Sequence, residues 1–341
     1  DPLLSQMWHL EDINVSNAWD TTTGDPTVVV AVIDGGVLAQ HPDFLGQNSE
    51  GYDFISSSGN YDGDGIDPDP EDVTPLDDPC SPDGQAFYHG AHVAGTVGAT
   101  GNNEEGIVGI SYGASLMHLR ALDGDCGGSS YDIGQSVLYA IGAPNDSGAV
   151  PNTSASVVNM SLGGGSPSNF FQEIVNEAAS RGVIVVASSG NEGANTVSYP
   201  AAYDNVIAVG ATGLDGNLAS YSNKGPRLDV VAPGGGNGGS VLSLMKTSEG
   251  FTYVGSQGTS MSSPHAAGIF ALMKSVHPSL NTARLEAFLE AGVLTDDLGD
   301  SGFDNATGWG LLKADKAVAV ATADAKGTFV FPARLLLSSS R

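Results

Sequence analysis

Positive charge is scarce in this chain of 341 residues. Twelve Lys and Arg stand against 39 Asp and Glu, a formal net charge of −27. Such a surface repels nucleic acid and anionic lipid, so neither is an expected partner. Long apolar runs are missing as well. No stretch reaches the ~18 consecutive apolar residues of a membrane-spanning helix, although hydrophobic residues make up 40% of the chain, ample for a sizeable core. The chain starts at Asp1 without a charged segment leading into an apolar one. Any secretion signal or propeptide is therefore expected to have been removed or to lie outside the sequence. Only two cysteines occur, Cys80 and Cys126. In an exported protein such a pair suggests one disulfide, the alternative being two unrelated buried thiols.

What is abundant is glycine, 47 residues, and acid. The glycines imply many tight turns and close backbone approaches. The acid fits either a solvated surface suited to a salty medium or a set of cation sites. Its distribution is uneven. Residues 56–88 carry Asp62, Asp64, Asp67, Asp69, Glu71 and Asp72, followed by Asp77 and Asp78, on an irregular loop.

Continuous β-branched runs at 27–34, 156–162, 182–187 and 206–211, with a weaker one at 228–232, predict strands covered on both faces. Helical spacing predicts helices over 89–99, 131–143, 170–179, 266–273 and 283–291. Strands alternating with helices give an α/β fold: a three-layer sandwich with a mostly parallel central sheet flanked by helices. No domain boundary or repeat is visible before about residue 320, and 321–341 reads as a C-terminal hairpin or tail. In such sheets functional groups gather beyond the carboxyl ends of the strands. Asp34 ends one predicted strand, and Gly190-Asn191 follows another. Ser260 stands at the start of the 266–273 helix, facing unpaired N–H groups. Alone it reads equally as a helix cap.

Four segments together carry a resemblance. They are Val32-Ile33-Asp34-Gly35-Gly36-Val37, His89-Gly90-Ala91-His92-Val93-Ala94-Gly95-Thr96, Ser188-Ser189-Gly190-Asn191-Glu192-Gly193 and Gly258-Thr259-Ser260-Met261-Ser262-Ser263-Pro264. In this order they resemble the subtilisin-like serine proteases, whose catalytic residues run Asp, His, Ser along the chain. The likeness extends from Asp1 to about residue 319, an expected catalytic domain over 1–320 with 321–341 as an extension.

The resemblance implies a secreted serine endopeptidase. Ser260 would be the nucleophile, His89 its general base and Asp34 the group that orients His89. Asn191 would donate to the oxyanion beside the Ser260 N–H. Taken singly, Asp34 reads as a strand-end cap, Asn191 as a turn residue, and His92 as an equal candidate to His89; the motif match selects His89. Two positions depart from the family pattern: Gly35 stands where Ser or Thr is usual, and Ala91 where Thr is usual.

The resemblance also implies a substrate cleft. Ser161-Leu162-Gly163-Gly164 would pair with an extended peptide, and with Ala187, Ser188 and Gly190 would wall the S1 pocket, with Ser198 at its floor. Medium apolar or aromatic P1 side chains are expected, not Arg or Lys. Structural calcium is implied at two or more places. One set is Asp1, Asp43, Thr100, Asn103, Glu105 and Ile107. The other is Asp62, Asp64, Asp67, Asp69 and Asp72, whose spacing opens like an EF-hand loop but lacks its twelfth-position Glu; a solvated loop is the alternative. A Cys80–Cys126 bond would pin the loop before His89 and stabilise by ~4 kcal/mol on the chain-entropy model. Expected partners are protein or peptide substrates and the protein's own propeptide, with a monomer as the working form. The rivals are a peptidase with a carboxylate base in place of His89, and an inactive fold serving as an acidic calcium-binding or adhesive domain.

Overall fold

Val29–Asp34 (β1) lies inside a nine-stranded sheet and is buried over its whole length. The computed structural model describes residues 1–47, 49–57, 61–78, 87–123 and 127–332. The other strands of the sheet are Ser49–Asp53 (β2), Ser115–Arg120 (β3), Val157–Met160 (β4), Ile184–Ser188 (β5), Val206–Thr212 (β6) and Val230–Pro233 (β7), with short Thr295–Asp296 (β10) and Leu311–Leu312 (β11). Their order is β10-β11-β7-β6-β5-β4-β1-β3-β2. Every pairing is parallel except β10 with β11. A separate antiparallel hairpin joins Val241–Thr247 (β8) to Gly250–Ser256 (β9).

The two-residue period of a strand sends alternate side chains of β1 to opposite faces. Val30 and Val32 enter one core, and Val29, Ala31 and Ile33 the other. The first core also takes side chains from Trp8–Asp12 (α1), Val15–Trp19 (α2), His89–Gly98 (α3), Thr259–Val276 (α6), Thr282–Glu290 (α7) and Ala314–Ala325 (α8). The second is covered by Ser130–Ala140 (α4) and Asn169–Ser180 (α5). Helices on both faces of a mostly parallel sheet make the expected three layers. Among the described residues no helix is long and apolar enough to cross a membrane.

α6 is the longest helix of the first core and is largely buried, touching α3, α8 and five strands of the sheet. Ile269, Phe270, Leu272 and Met273 are all fully buried, and burying each such side chain is worth ~1.5–3 kcal/mol. That anchorage holds the start of α6 at one place above the sheet. β1, β4 and β5 end on the same side, which brings Asp34, Ser161 and Asn191 toward it.

The predicted helices and the strand runs all appear, with boundaries shifted by a few residues. β2, β3 and the β8–β9 hairpin were not read from the sequence. The expected boundary at 320/321 falls inside α8, which packs on α6 and α2. Beyond α8, Phe329 and Phe331 pack against Phe288 of α7.

Candidate active site

Asp34 closes β1 with 1% of its surface exposed. Its Oδ1 accepts the Gly35 N–H at 2.8 Å and faces His89 Nδ1 at 2.7 Å. An ionised carboxylate only accepts, so Nδ1 carries the proton and Nε2 of a neutral ring is left basic. Asp34 Oδ2 is buried and has no hydrogen bond among the described residues. Gly35 supplies no hydroxyl there. His89 opens α3, which starts hard against the turn after β1. A Cβ on Gly90 would lie 2.3 Å from the Gly36 carbonyl oxygen, so only glycine permits this approach.

The two histidines of the motif have different surroundings. His89 is a quarter exposed beside Asp34. His92 is buried, its Nε2 bonded to the Val254 carbonyl at 3.0 Å, and burial pushes its pKa down to about 3. His92 therefore ties α3 to the hairpin. Two further buried histidines lie nearby. His9 Nδ1 and His265 Nε2 are 2.8 Å apart, and His265 Nδ1 bonds the Met261 carbonyl. Burial lowers both, His265 to about 4.

Ser260 is the second residue of α6, and its hydroxyl donates to the Ser161 carbonyl at 3.2 Å. Its N–H belongs to the first helical turn, whose donors have no partner within the helix. Asn191 follows Gly190, where φ is +108° and a Cβ would strike Asn223. Asn191 Oδ1 accepts both the N–H and the hydroxyl of Thr259, at 2.8 and 2.9 Å. Two donors on one atom fix the amide orientation and turn Nδ2 the other way. Thr259 was not read from the sequence as a site residue; only its place before Ser260 hinted at it.

A cleft of ≈ 510 Å³ runs past Asp34, Gly35 and His89 between Leu122, Ile133, the Ser161–Gly165 edge and the rings of Phe171, Tyr199 and Tyr203. Ser161, Leu162, Gly163 and Gly164 line it. Ala187, Ser188, Gly190 and Ser198, expected to wall the pocket, are not among the residues that line it. Ser188 Oγ donates to the Leu162 carbonyl at 3.3 Å, and Ser198 lies against Gly163. Asn223 Nδ2 donates to Glu192 Oε2 at 2.6 Å and to Ser198 Oγ at 3.2 Å, bringing that carboxylate beside Ser198.

The six residues of the first expected cation set lie together. Asp1 accepts the Asn102 and Asn103 N–H groups. Asp43 accepts Asn103 Nδ2 and the Ile107 N–H, both at 2.9 Å, while its carbonyl takes the Thr100 N–H, and the Glu105 N–H meets Asn103 Oδ1. Asp43 is fully buried, and among the described residues no Lys or Arg pairs with it. A buried charge without a counter-ion fits a cation site. The second set is divided. Asp62 pairs with Arg120, which also holds Asp53 and Asp123. Asp64, Asp67 and Asp69 remain near one another, burial and the neighbouring carboxylates raising Asp67. Asp72 lines the catalytic cleft instead. Among the described residues no three His, Cys, Asp or Glu side chains are arranged to hold a metal ion. Cys80 and Cys126 lie outside the described residues.

Asp72, read from the sequence as a cation ligand, stands at the cleft beside Gly35. Its backbone pairs with Val37, and its Oδ2 lies 3.6 Å from where a Cβ on Gly35 would be. Burial raises it to about 7, against the opposing bonds from Thr74, and the Asp34 and Glu71 charges add to the rise.

Asp34 and His89 line the cleft with the Ser161 edge, and the helix-start Ser260 and the oriented Asn191 are joined to Ser161 and Thr259 by hydrogen bonds, the residue types of a serine hydrolase on a mostly parallel α/β fold. The chain matches the Subtilase family over residues 25–310 and belongs to it. It is 41% identical over 335 residues to an extracellular protease of Xanthomonas campestris pv. campestris, covering 94% of this chain and 57% of that protein. It is 39% identical over 240 residues to Subtilisin Savinase of Lederbergia lenta, covering 70% and 80%. Among solved structures, a protease from Pseudoalteromonas arctica superposes with a TM-score of 0.85 at 36% identity, covering 94% of this chain and 98% of that one. The chain spans little more than half the length of several curated relatives.

Proposed function

We propose that the chain is a secreted serine endopeptidase that cleaves peptide bonds in proteins through an acyl-enzyme. The observation that carries this is the 2.7 Å contact of His89 Nδ1 with the buried Asp34 carboxylate, in a cleft whose Ser161 edge is hydrogen-bonded to Ser260. Ser260 Oγ attacks the scissile carbonyl while His89 Nε2 takes its proton. Asp34 holds the ring in the required tautomer and stabilises the imidazolium. Asn191 Nδ2 and the Ser260 N–H donate to the oxyanion; in this family losing one such donor costs ~10²–10³ in kcat. His89 then gives its proton to the leaving amine. A water, deprotonated by the same ring, releases the acyl group. The Ser161–Gly164 edge receives the substrate backbone as an added strand, and the rings of Phe171, Tyr199 and Tyr203 favour apolar side chains.

Calcium fits the first cation set. Asp1, Asp43 and Asn103, with carbonyls of Thr100, Glu105 and Ile107, would hold it, neutralising Asp43 and tying down the N-terminal segment. No second ion is placed on the Asp62–Asp72 loop, where Asp62 is held by Arg120 and Asp72 lies in the cleft. A Cys80–Cys126 disulfide, maturation with its own propeptide and a monomeric working form complete the reading. A serine-directed fluorophosphonate tests it. Stoichiometric labelling that disappears in Ser260→Ala together with peptidase activity is the expected result. Unlabelled wild-type protein, or labelling that survives in Ser260→Ala, would overturn it.

A further inference from the structure

Pro264 sits inside α6, four residues after Ser260. In a helix the carbonyl of residue i accepts the N–H of residue i+4. Proline has no N–H, and its ring crowds that same carbonyl. The Ser260 carbonyl thus loses its helical donor at the residue that carries the nucleophile. Ser161 supplies another: its Oγ donates to the Ser260 carbonyl at 2.8 Å.

Ser161 is itself held by a chain of bonds that runs one way. Ser263 Oγ donates to Asn159 Oδ1 at 2.6 Å, and Asn159 Nδ2 donates to Ser161 Oγ at 3.0 Å. The first bond fixes the Asn159 amide orientation. The second occupies an acceptor site of Ser161, so its single proton goes to Ser260. Ser161, Asn159 and Ser263 are at most 2% exposed, so water does not compete. The chain leaves α6 at Ser263, crosses β4 at Asn159 and returns to α6 at Ser260. It bridges the gap that Pro264 opens. The Ser260 hydroxyl meanwhile donates to the Ser161 carbonyl, so the two serines are bonded in both directions.

Resting on the reading of Ser260 as nucleophile, we infer that Ser161, oriented by Asn159 and Ser263, is a positioning residue that replaces the helical donor removed by Pro264. The peptide-binding edge and the nucleophile are thereby one hydrogen-bonded unit.

The test is a double-mutant cycle between Ser161 and Pro264. Ser161→Ala leaves the Ser260 carbonyl unsatisfied, an effect of ~10–100-fold expected in kcat from the cost of a buried orphan group, with KM changed less than ~3-fold. In a Pro264→Ala background residue 264 has an N–H for that carbonyl. There Ser161→Ala is expected to cost less than ~3-fold in kcat, because the hydroxyl becomes redundant. A general stabilising role would lower kcat equally in both backgrounds, and that result would overturn the inference. Ser263→Ala, at the far end of the chain, is expected to show the same background dependence at smaller size. It carries the test if Ser161→Ala yields no folded protein. Fluorophosphonate labelling of each variant separates the two readings: failure to label wild-type Ser260 sinks the catalytic assignment, whereas normal labelling with background-independent losses sinks only the role of Ser161.

Discussion

The two regions that meet the cleft, one through Ser161 and one through Asp34, are built from different chemistry. On the Ser260 side, Thr259, Asn191, Ser161, Asn159 and Ser263 are neutral, and each meets a neutral partner from the chain. On the Asp34 side, Asp53, Asp62 and Asp123 share one guanidinium, and Asp72 has no basic partner among the described residues. Neutral hydrogen bonds keep their geometry across pH and salt. A cluster of carboxylates depends on its counter-charges. The first region is accordingly expected to set the precision of the nucleophile, and the second the conditions under which the fold survives.

Arg120→Met is the strongest way to break this contrast. Arg120 is fully buried, and removing one partner of a buried ion pair typically costs ~3–5 kcal/mol. Urea unfolding should show a loss of that order. A near-neutral result would mean that other cations already neutralise the acids. Calcium removal comes next: chelation should lower Tm by several degrees and speed autolysis, and Asp43→Asn should abolish that sensitivity. Identical melting with and without chelator removes the cation site from the account.

The pH arms are smaller and opposite in sign. His9, His92 and His265 have folded pKa values below the ordinary 6.5. The unfolded chain binds more protons below that pH, so stability is present above 6.5 and is lost as pH falls toward 4. His265→Gln should flatten this acid limb in melting curves taken from pH 7 to 4; an unchanged slope would assign it elsewhere. Asp72 is raised from 3.8 to about 7, so its contribution is present below the unfolded value and is lost as pH rises through 7. Asp72→Asn should therefore raise Tm at pH 8 by a few degrees and change it little at pH 4. An equal gain at both pH values would show that burial of its charge is not the cause.

The segments carrying Asp34, His89, Asn191 and Ser260 were the more legible in the sequence. β1, β4, β5 and β6 announce themselves as β-branched runs, and Asp34, His89, Asn191 and Ser260 sit in contiguous motifs. β3 was missed because its buried His118 and Arg120 break the apolar pattern, and β2 because Ser-Glu-Gly-Tyr-Asp has none. Asp72 was grouped with its sequence neighbours by spacing. What places it in the cleft is the bridge between Val37 and Glu71, a long-range pairing that no local pattern encodes. Thr259 was overlooked because its work is done on Asn191, 68 residues away.

The close start of α3 against Gly36 has one more consequence. The distance between base and acid is kept by an atom that is not there. One methyl group at Gly90 would push His89 away from Asp34 while leaving every charged and nucleophilic group in the chain. Vulnerability here lies in an empty volume, invisible to any inventory of reactive side chains.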